Sequence, residues 1–180
     1  MRYDGGHKLD ADLVSSFGPL VEWVSVCPEV EVGMSVPREP IHLVAHRDGV
    51  QAGSVRVRLV GLDSGEDWTN RMAEWARDRV RELSAMRLSG YVLKSRSPSC
   101  GLRDVLVKAN ASWPDRRQTE TVVDERSRGA GIQPARGLFA EALIGAMPDL
   151  PVEDDERLRD PEIRRQFFER VRTYQREHER

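Results

Sequence analysis

Cys27 and Cys100 are the only thiols in the chain, and each stands among residues that could work with it. In Cys27-Pro28-Glu29 a soft metal ligand precedes a carboxylate by two positions, so a metal and an acid or base can share one short stretch of chain. A small buried hydrophobe followed by a surface charge is the simpler reading of the same tripeptide. In Lys94-Ser95-Arg96-Ser97-Pro98-Ser99-Cys100-Gly101, hydroxyls, two cations and a thiol crowd one loop, where they could hold an anion or a nucleobase oxygen. A Ser/Pro/Gly turn with solvated charges accounts for that composition too. The histidines add little: His42 and His46 fall in or beside a strand pattern and His178 in a charged helix. Structural zinc is disfavoured, because its four Cys or His ligands usually come in close pairs and no such pair is present. Gly5-Gly6 is too short for a phosphate loop and reads as a turn.

The elements around these residues decide where they sit. Val21-Glu22-Trp23-Val24-Ser25-Val26 is rich in β-branched and aromatic residues and predicts a strand, with Cys27 at its C-terminal end. Ahead of it, Asp10 can cap a short helix through Phe17, stopped by Gly18-Pro19. Ile41 to Ala45 and Val55 to Val60 predict two strands joined by a turn at Asp48-Gly49. From Thr69, a plausible N-cap, to Met86, the spacing of Met72, Trp75, Ala76, Val80, Leu83 and Met86 predicts an amphipathic helix. Gly90-Tyr91-Val92-Leu93 is a short strand that delivers the Ser95–Gly101 loop. Residues 109–134 show no periodicity and read as a polar surface excursion; Leu138, Phe139, Ala142, Leu143 and Ala146 mark another helix, ended by Pro148. This order favours an α/β fold with an open, partly parallel sheet and flanking helices, in which sites gather at the C-terminal ends of strands. Residues 149–159, with the acidic run Glu153-Asp154-Asp155-Glu156, read as a linker. A C-terminal helical extension follows over 160–180, striped by Ile163, Phe167, Val171 and Tyr174, and is expected to pack loosely or project away and to favour self-association or a partner.

Composition narrows the classes. With 180 residues, 39% hydrophobic and 32% charged, the chain suits one domain with an appendage. No apolar run approaches the roughly 20 residues of a spanning helix, and no signal-peptide pattern opens the chain, so no membrane partner and a cytoplasmic location with reduced thiols are expected. The 28 basic and 30 acidic residues leave a net charge of −2, which gives no bulk electrostatic sign of nucleic-acid binding.

Taken together, Arg2-Tyr3-Asp4-Gly5-Gly6, Val26-Cys27-Pro28-Glu29, Gly33, Pro37-Arg38-Glu39 and Leu93 through Gly101 resemble the ordered signatures of the thiouracil desulfidase (TudS) family, also known as domain of unknown function 523. The resemblance covers about residues 1–148. It implies a [4Fe–4S] cluster held by three cysteines with one iron open, where most such clusters have four. The open iron takes the sulfur of a thiolated base, and a carboxylate assists attack of water on the ring carbon. By the same resemblance Cys27 and Cys100 are cluster ligands, Glu29 is the acid/base, and Ser97, favoured over Ser99, is the catalytic serine. Tyr3, Asp4, Arg38, Lys94 and Arg96 become candidates for contacts to base or phosphate. The implied substrates are thiolated uracil derivatives: 2-thiouracil, 4-thiouridine monophosphate, or 4-thiouridine in tRNA. The stretch from Leu150 to Phe167 is similar to the junction with domain of unknown function 1722 in longer members, which are associated with tRNA.

One element of the pattern falls outside the sequence. The family's first cluster cysteine lies in a Ser-x-Cys-Leu-x-Gly segment shortly before Arg-Tyr-Asp-Gly-Gly, whereas Arg2 follows Met1 directly. The expectation is that a ligand and a first strand are missing, through a start assigned too far downstream or a truncated gene, and that the 180-residue form is inactive. Two classes therefore stand: a desulfidase, or a non-catalytic remnant or small-ligand-binding domain of the same fold.

Overall fold

The structure, a computed structural model, describes residue 4 and residues 11–47, 55–109 and 136–178. The fold is mixed α/β with partly parallel pairing, as the element order implies, and its strands are divided between two small sheets. Strand β1 (Ile41–Arg47) runs antiparallel to β2 (Val55–Gly61), with Leu43 opposite Leu59, and parallel to β4 (Val107–Ala109) on its other edge. In the second sheet β3 (Tyr91–Leu93) lies parallel to β5 (Val152–Asp154), with Leu93 opposite Asp154. Two short helices, α1 (Ala11–Phe17) and α2 (Pro28–Glu31), precede β1.

Helix α3 (Thr69–Ala85) packs on both halves of the molecule because its apolar positions recur at helical spacing. Met72 joins Leu43, Leu59 and Val107 under the first sheet, while Ala76, Val80 and Leu83 meet Leu93 and the Phe139 and Leu143 side chains of α4 (Leu138–Ala146). Burying each of the large aliphatic side chains stabilises the fold by roughly 1.5–3 kcal/mol. Thr69 is the first helical residue and not the cap; its hydroxyl accepts the Leu59 amide at 2.9 Å and so fixes α3 to β2, while Asp67 accepts the Thr69 amide at 2.9 Å. Met86 lies past the helix end and is half exposed.

Three sequence expectations are corrected. Val21–Val26 is not a strand: no described segment pairs with it, Trp23 and Val24 are exposed, and Cys27 stands at the N-cap of α2. Residues 149–159 are not a free linker, since they contain β5 and a single 3₁₀ turn, Arg157–Arg159. Glu153 and Asp154 are buried there because Arg103 meets both carboxylates, at 2.5 and 2.7 Å. The last helix, α5 (Pro161–His178), does not project: Phe167 and Val171 are buried with Leu13, Phe17 and Leu158, and the rings of Phe17 and Phe167 meet edge-on at 6.2 Å. That apolar face, expected to drive self-association, is covered within the chain by α1. The turn at Asp48-Gly49 and the excursion over 110–134 lie outside the described residues.

Candidate functional site

Helix α2 is one turn long and is built to present two side chains. Pro28 occupies its first position, where a missing N–H is harmless, and Cys27 precedes it in extended conformation. The Glu31 carboxylate accepts the Cys27 amide at 3.0 Å and pairs with Arg79 of α3 at 3.1 Å, so the turn is pinned to the core. Gly33 then adopts a φ of +98°, a left-handed conformation that suits glycine and reverses the chain toward Arg38.

The Arg38 side chain, almost fully buried, donates Nε and Nη2 to Glu29 Oε2 at 2.8 and 2.6 Å. Glu29 Oε1 accepts the Ser99 hydroxyl at 2.8 Å and lies 3.4 Å from Ser97 Oγ, and the two serine oxygens are 2.9 Å apart. Ser99 is fully buried, whereas Ser97 keeps some solvent access. The carboxylate is thus held on one side by a guanidinium and on the other by hydroxyls from a loop 70 positions away.

That loop is set by backbone. The Gly101 amide returns to the Ser97 carbonyl at 2.7 Å, and the Cys100 amide faces Ser97 Oγ at 3.3 Å. The N-terminus of α4 closes over it, with the Gly137 and Phe139 amides donating to Gly101 O and Ser99 O, each at 2.8 Å. A Cβ at Gly137 would stand 2.4 Å from the Ser99 carbonyl carbon and 2.5 Å from the Cys100 nitrogen, both rigid backbone. Gly137→Ala should therefore cost about 1–3 kcal/mol. Thermal melts check this, and an unshifted melting temperature would show that the contact relaxes freely.

Both cysteines are free thiols, partly buried. Burial pushes the Cys100 thiol up; hydrogen bonds from Ser97 oppose this, while the Glu29 charge reinforces it. Cys100 is therefore protonated at neutral pH in the absence of metal, and a soft metal must displace that proton to bind. Tyr91 stands near both thiols: burial raises its phenol, and charge on Cys100, Glu31 or Cys27 adds to the effect.

Of the residues singled out from sequence, Cys27, Glu29, Arg38, Ser97, Ser99 and Cys100 belong to one connected neighbourhood of two loops. Lys94 and Arg96 point elsewhere: Lys94 pairs with Asp155, and Arg96 meets Glu156 at 2.5 Å. Asp4 lies in an exposed turn, and Tyr3 is outside the described residues. Glu31, Arg79, Tyr91 and Gly137 were not anticipated. Gly137, directly ahead of a helical pattern, carried a signal; the other three acquire their roles from partners distant in sequence. Among the described residues no group of three Cys, His, Asp or Glu side chains could hold a metal ion, and no helix is long and apolar enough to cross a membrane.

The chain is 31% identical over 101 residues to the uncharacterized protein YbbK of Bacillus subtilis, an overlap of 56% of this chain and 64% of that relative's length. Its fold matches that of the solved [4Fe-4S]-dependent thiouracil desulfidase TudS at a TM-score of 0.51 and 23% identity, covering 88% of this chain and 85% of that one. The family model described as 2-thiouracil desulfurase matches residues 1–155, and the chain belongs to that family.

Proposed function

We propose that the protein is a desulfidase that replaces the sulfur of a thiolated uracil by oxygen from water, with a [4Fe–4S] cluster bound in part by Cys27 and Cys100. The observation that supports this most is the clasped carboxylate. Glu29 is fixed by Arg38 and by the Ser97 and Ser99 hydroxyls; it follows Cys27 by two positions, and the serines share a loop with Cys100, so an acid/base and soft metal ligands lie on two segments that hydrogen bonds join. The donor set fits such a cluster in part. Two unbridged thiols supply two of the three thiolates of an open-iron cluster, and the third must come from outside these residues, since the sequence holds no other cysteine. When bound, the cluster supplies a thiophilic Lewis acid for the departing sulfur.

The chain's own groups account for the proton movements. Glu29 takes one proton from the attacking water as the new C–O bond forms and returns it to the sulfur as the C–S bond breaks; the second water proton leaves the oxygen as the carbonyl forms, so that water and thiocarbonyl become carbonyl and hydrogen sulfide without net redox change. Ser97, the more accessible hydroxyl, meets the nucleobase in this reading, and buried Ser99 joins it to Glu29. Arg38 keeps the carboxylate from rotating. Cytoplasmic conditions suit this chemistry, because the thiols must stay reduced.

Anaerobic iron–sulfur reconstitution is the test, on the 180-residue chain and on one extended upstream by a Ser-x-Cys-Leu-x-Gly segment. Each is assayed with 2-thiouracil, 4-thiouridine monophosphate and tRNA containing 4-thiouridine. The extended form should hold four irons and release sulfide from at least one substrate; the short form should lose its iron readily to chelators and turn over poorly. A fully loaded extended form that yields no sulfide from any of the three would overturn the assignment. Full loading and turnover in the short form would instead require another ligand, such as His7 or a partner's thiol.

A further inference from the structure

We propose that Asp155 is a positioning residue for this site: it holds the loop carrying Ser97, Ser99 and Cys100 in the conformation that turns them toward Glu29. The proposal rests on reading that loop as part of the desulfidase site. Four consecutive residues, Glu153 to Glu156, grip the loop at both ends. Where it leaves β3, the Asp155 amide donates to Leu93 O at 2.9 Å. One Asp155 carboxylate oxygen accepts the Ser95 amide at 2.8 Å as well as the Ser95 hydroxyl, whose oxygen takes the Glu156 amide at 3.1 Å. The other oxygen accepts Lys94. At the far end, Arg103 is bound by Glu153 and Asp154.

The bonds to Ser95 matter most. Lys94 and Arg96 are largely exposed, so their ion pairs with Asp155 and Glu156 contribute little. The Ser95 contacts are partly buried, and losing them would strand a polar group away from water. Burial alone would raise the Asp155 carboxyl, but the bonds from Lys94 and Ser95 outweigh it and hold it below its ordinary value, so it remains an acceptor at neutral pH. The residue after Ser95 explains why a clamp is needed. Arg96 has a φ of +59°, a left-handed conformation that a non-glycine residue keeps only when its surroundings impose it. Released there, the chain would carry Ser97, Ser99 and Cys100 away from Glu29 together.

The two thiols provide the test, since Cys100 lies on the clamped loop while Cys27 is held separately by Glu31 and Arg79. In metal-free protein, iodoacetamide labelling of each cysteine is followed by mass spectrometry. Asp155→Ala should speed labelling of Cys100 about tenfold or more and leave Cys27 unchanged, because the opening is local. Asp155→Asn, which keeps an acceptor for Ser95, should restore most of the protection. Ser95→Ala should act in the same direction, and the Asp155→Ala/Ser95→Ala double variant should label Cys100 more slowly than the product of the two single effects, because the two share one interaction. An unchanged Cys100 rate overturns the proposal. So do equal increases at both cysteines, an Asn variant as fast as the Ala one, or additive effects of the two substitutions. If Asp155→Ala fails to fold, Asp155→Asn and Ser95→Ala carry the comparison by the same criteria. None of these rates depends on turnover, so their failure is separable from failure of the desulfidase reading.

Discussion

Glu29→Gln should cut turnover by roughly 100-fold or more while leaving the iron content and visible absorbance of the cluster-loaded protein unchanged. Gln has the shape of Glu and can still meet Ser99 and Arg38, but it cannot take a proton from water. Neither thiol is altered, so the metal site is not directly disturbed. The substitution has a structural cost that must be measured beside the rate. Arg38 is almost fully buried and its bonds to Glu29 are charge-assisted, so removing the negative partner should destabilise the protein by about 3–5 kcal/mol. The double variant Glu29→Gln/Arg38→Gln should recover part of that stability and none of the activity. Wild-type turnover in Glu29→Gln would reassign the base to another group.

Removing residues 151–180 should unfold the protein or leave it aggregating, even though this stretch reads as a dispensable linker and tail. Deletion strips β5 from β3 and exposes a new sheet edge at the strand that delivers the site loop. It also removes Leu158, Phe167 and Val171 from a core whose remaining members, Leu13 and Phe17, would face water. A milder variant separates the packing contribution from the strand contribution. Phe167→Ala should cost about 3–5 kcal/mol, a fall in melting temperature of about 10 °C, with the sheet intact. A truncated chain that stays monomeric and melts cooperatively near the parent temperature would show that α5 and β5 are accessory.

Periodicity settled the elements that carry their own signal. Helix α3 and helix α4 follow apolar spacing, and β1 and β2 follow dense β-branched runs, so each could be read without a partner. The two loops with chemistry were legible for a related reason: Cys27-Pro28-Glu29 and Ser97-Pro98-Ser99-Cys100 keep several reactive residue types within a few positions. Long-range pairing decided the rest. Val21–Val26 has the composition of a strand, but a strand exists only where a neighbour supplies its ladder, and no described segment does. Val152-Glu153-Asp154 has the composition of a solvated linker, yet Arg103 pairs with both carboxylates, Arg157 and Arg170 add their charge at Glu153, and β3 accepts the strand, so burial becomes affordable. Arg38, a candidate for substrate phosphate when read along the chain, is turned inward to Glu29, and Lys94 is turned to Asp155. Charge signs are fixed by sequence, but each of these cations has a carboxylate partner that only folding brings within hydrogen-bond reach. The family could therefore be read from residue order, whereas which side chains meet one another was decided by the tertiary structure.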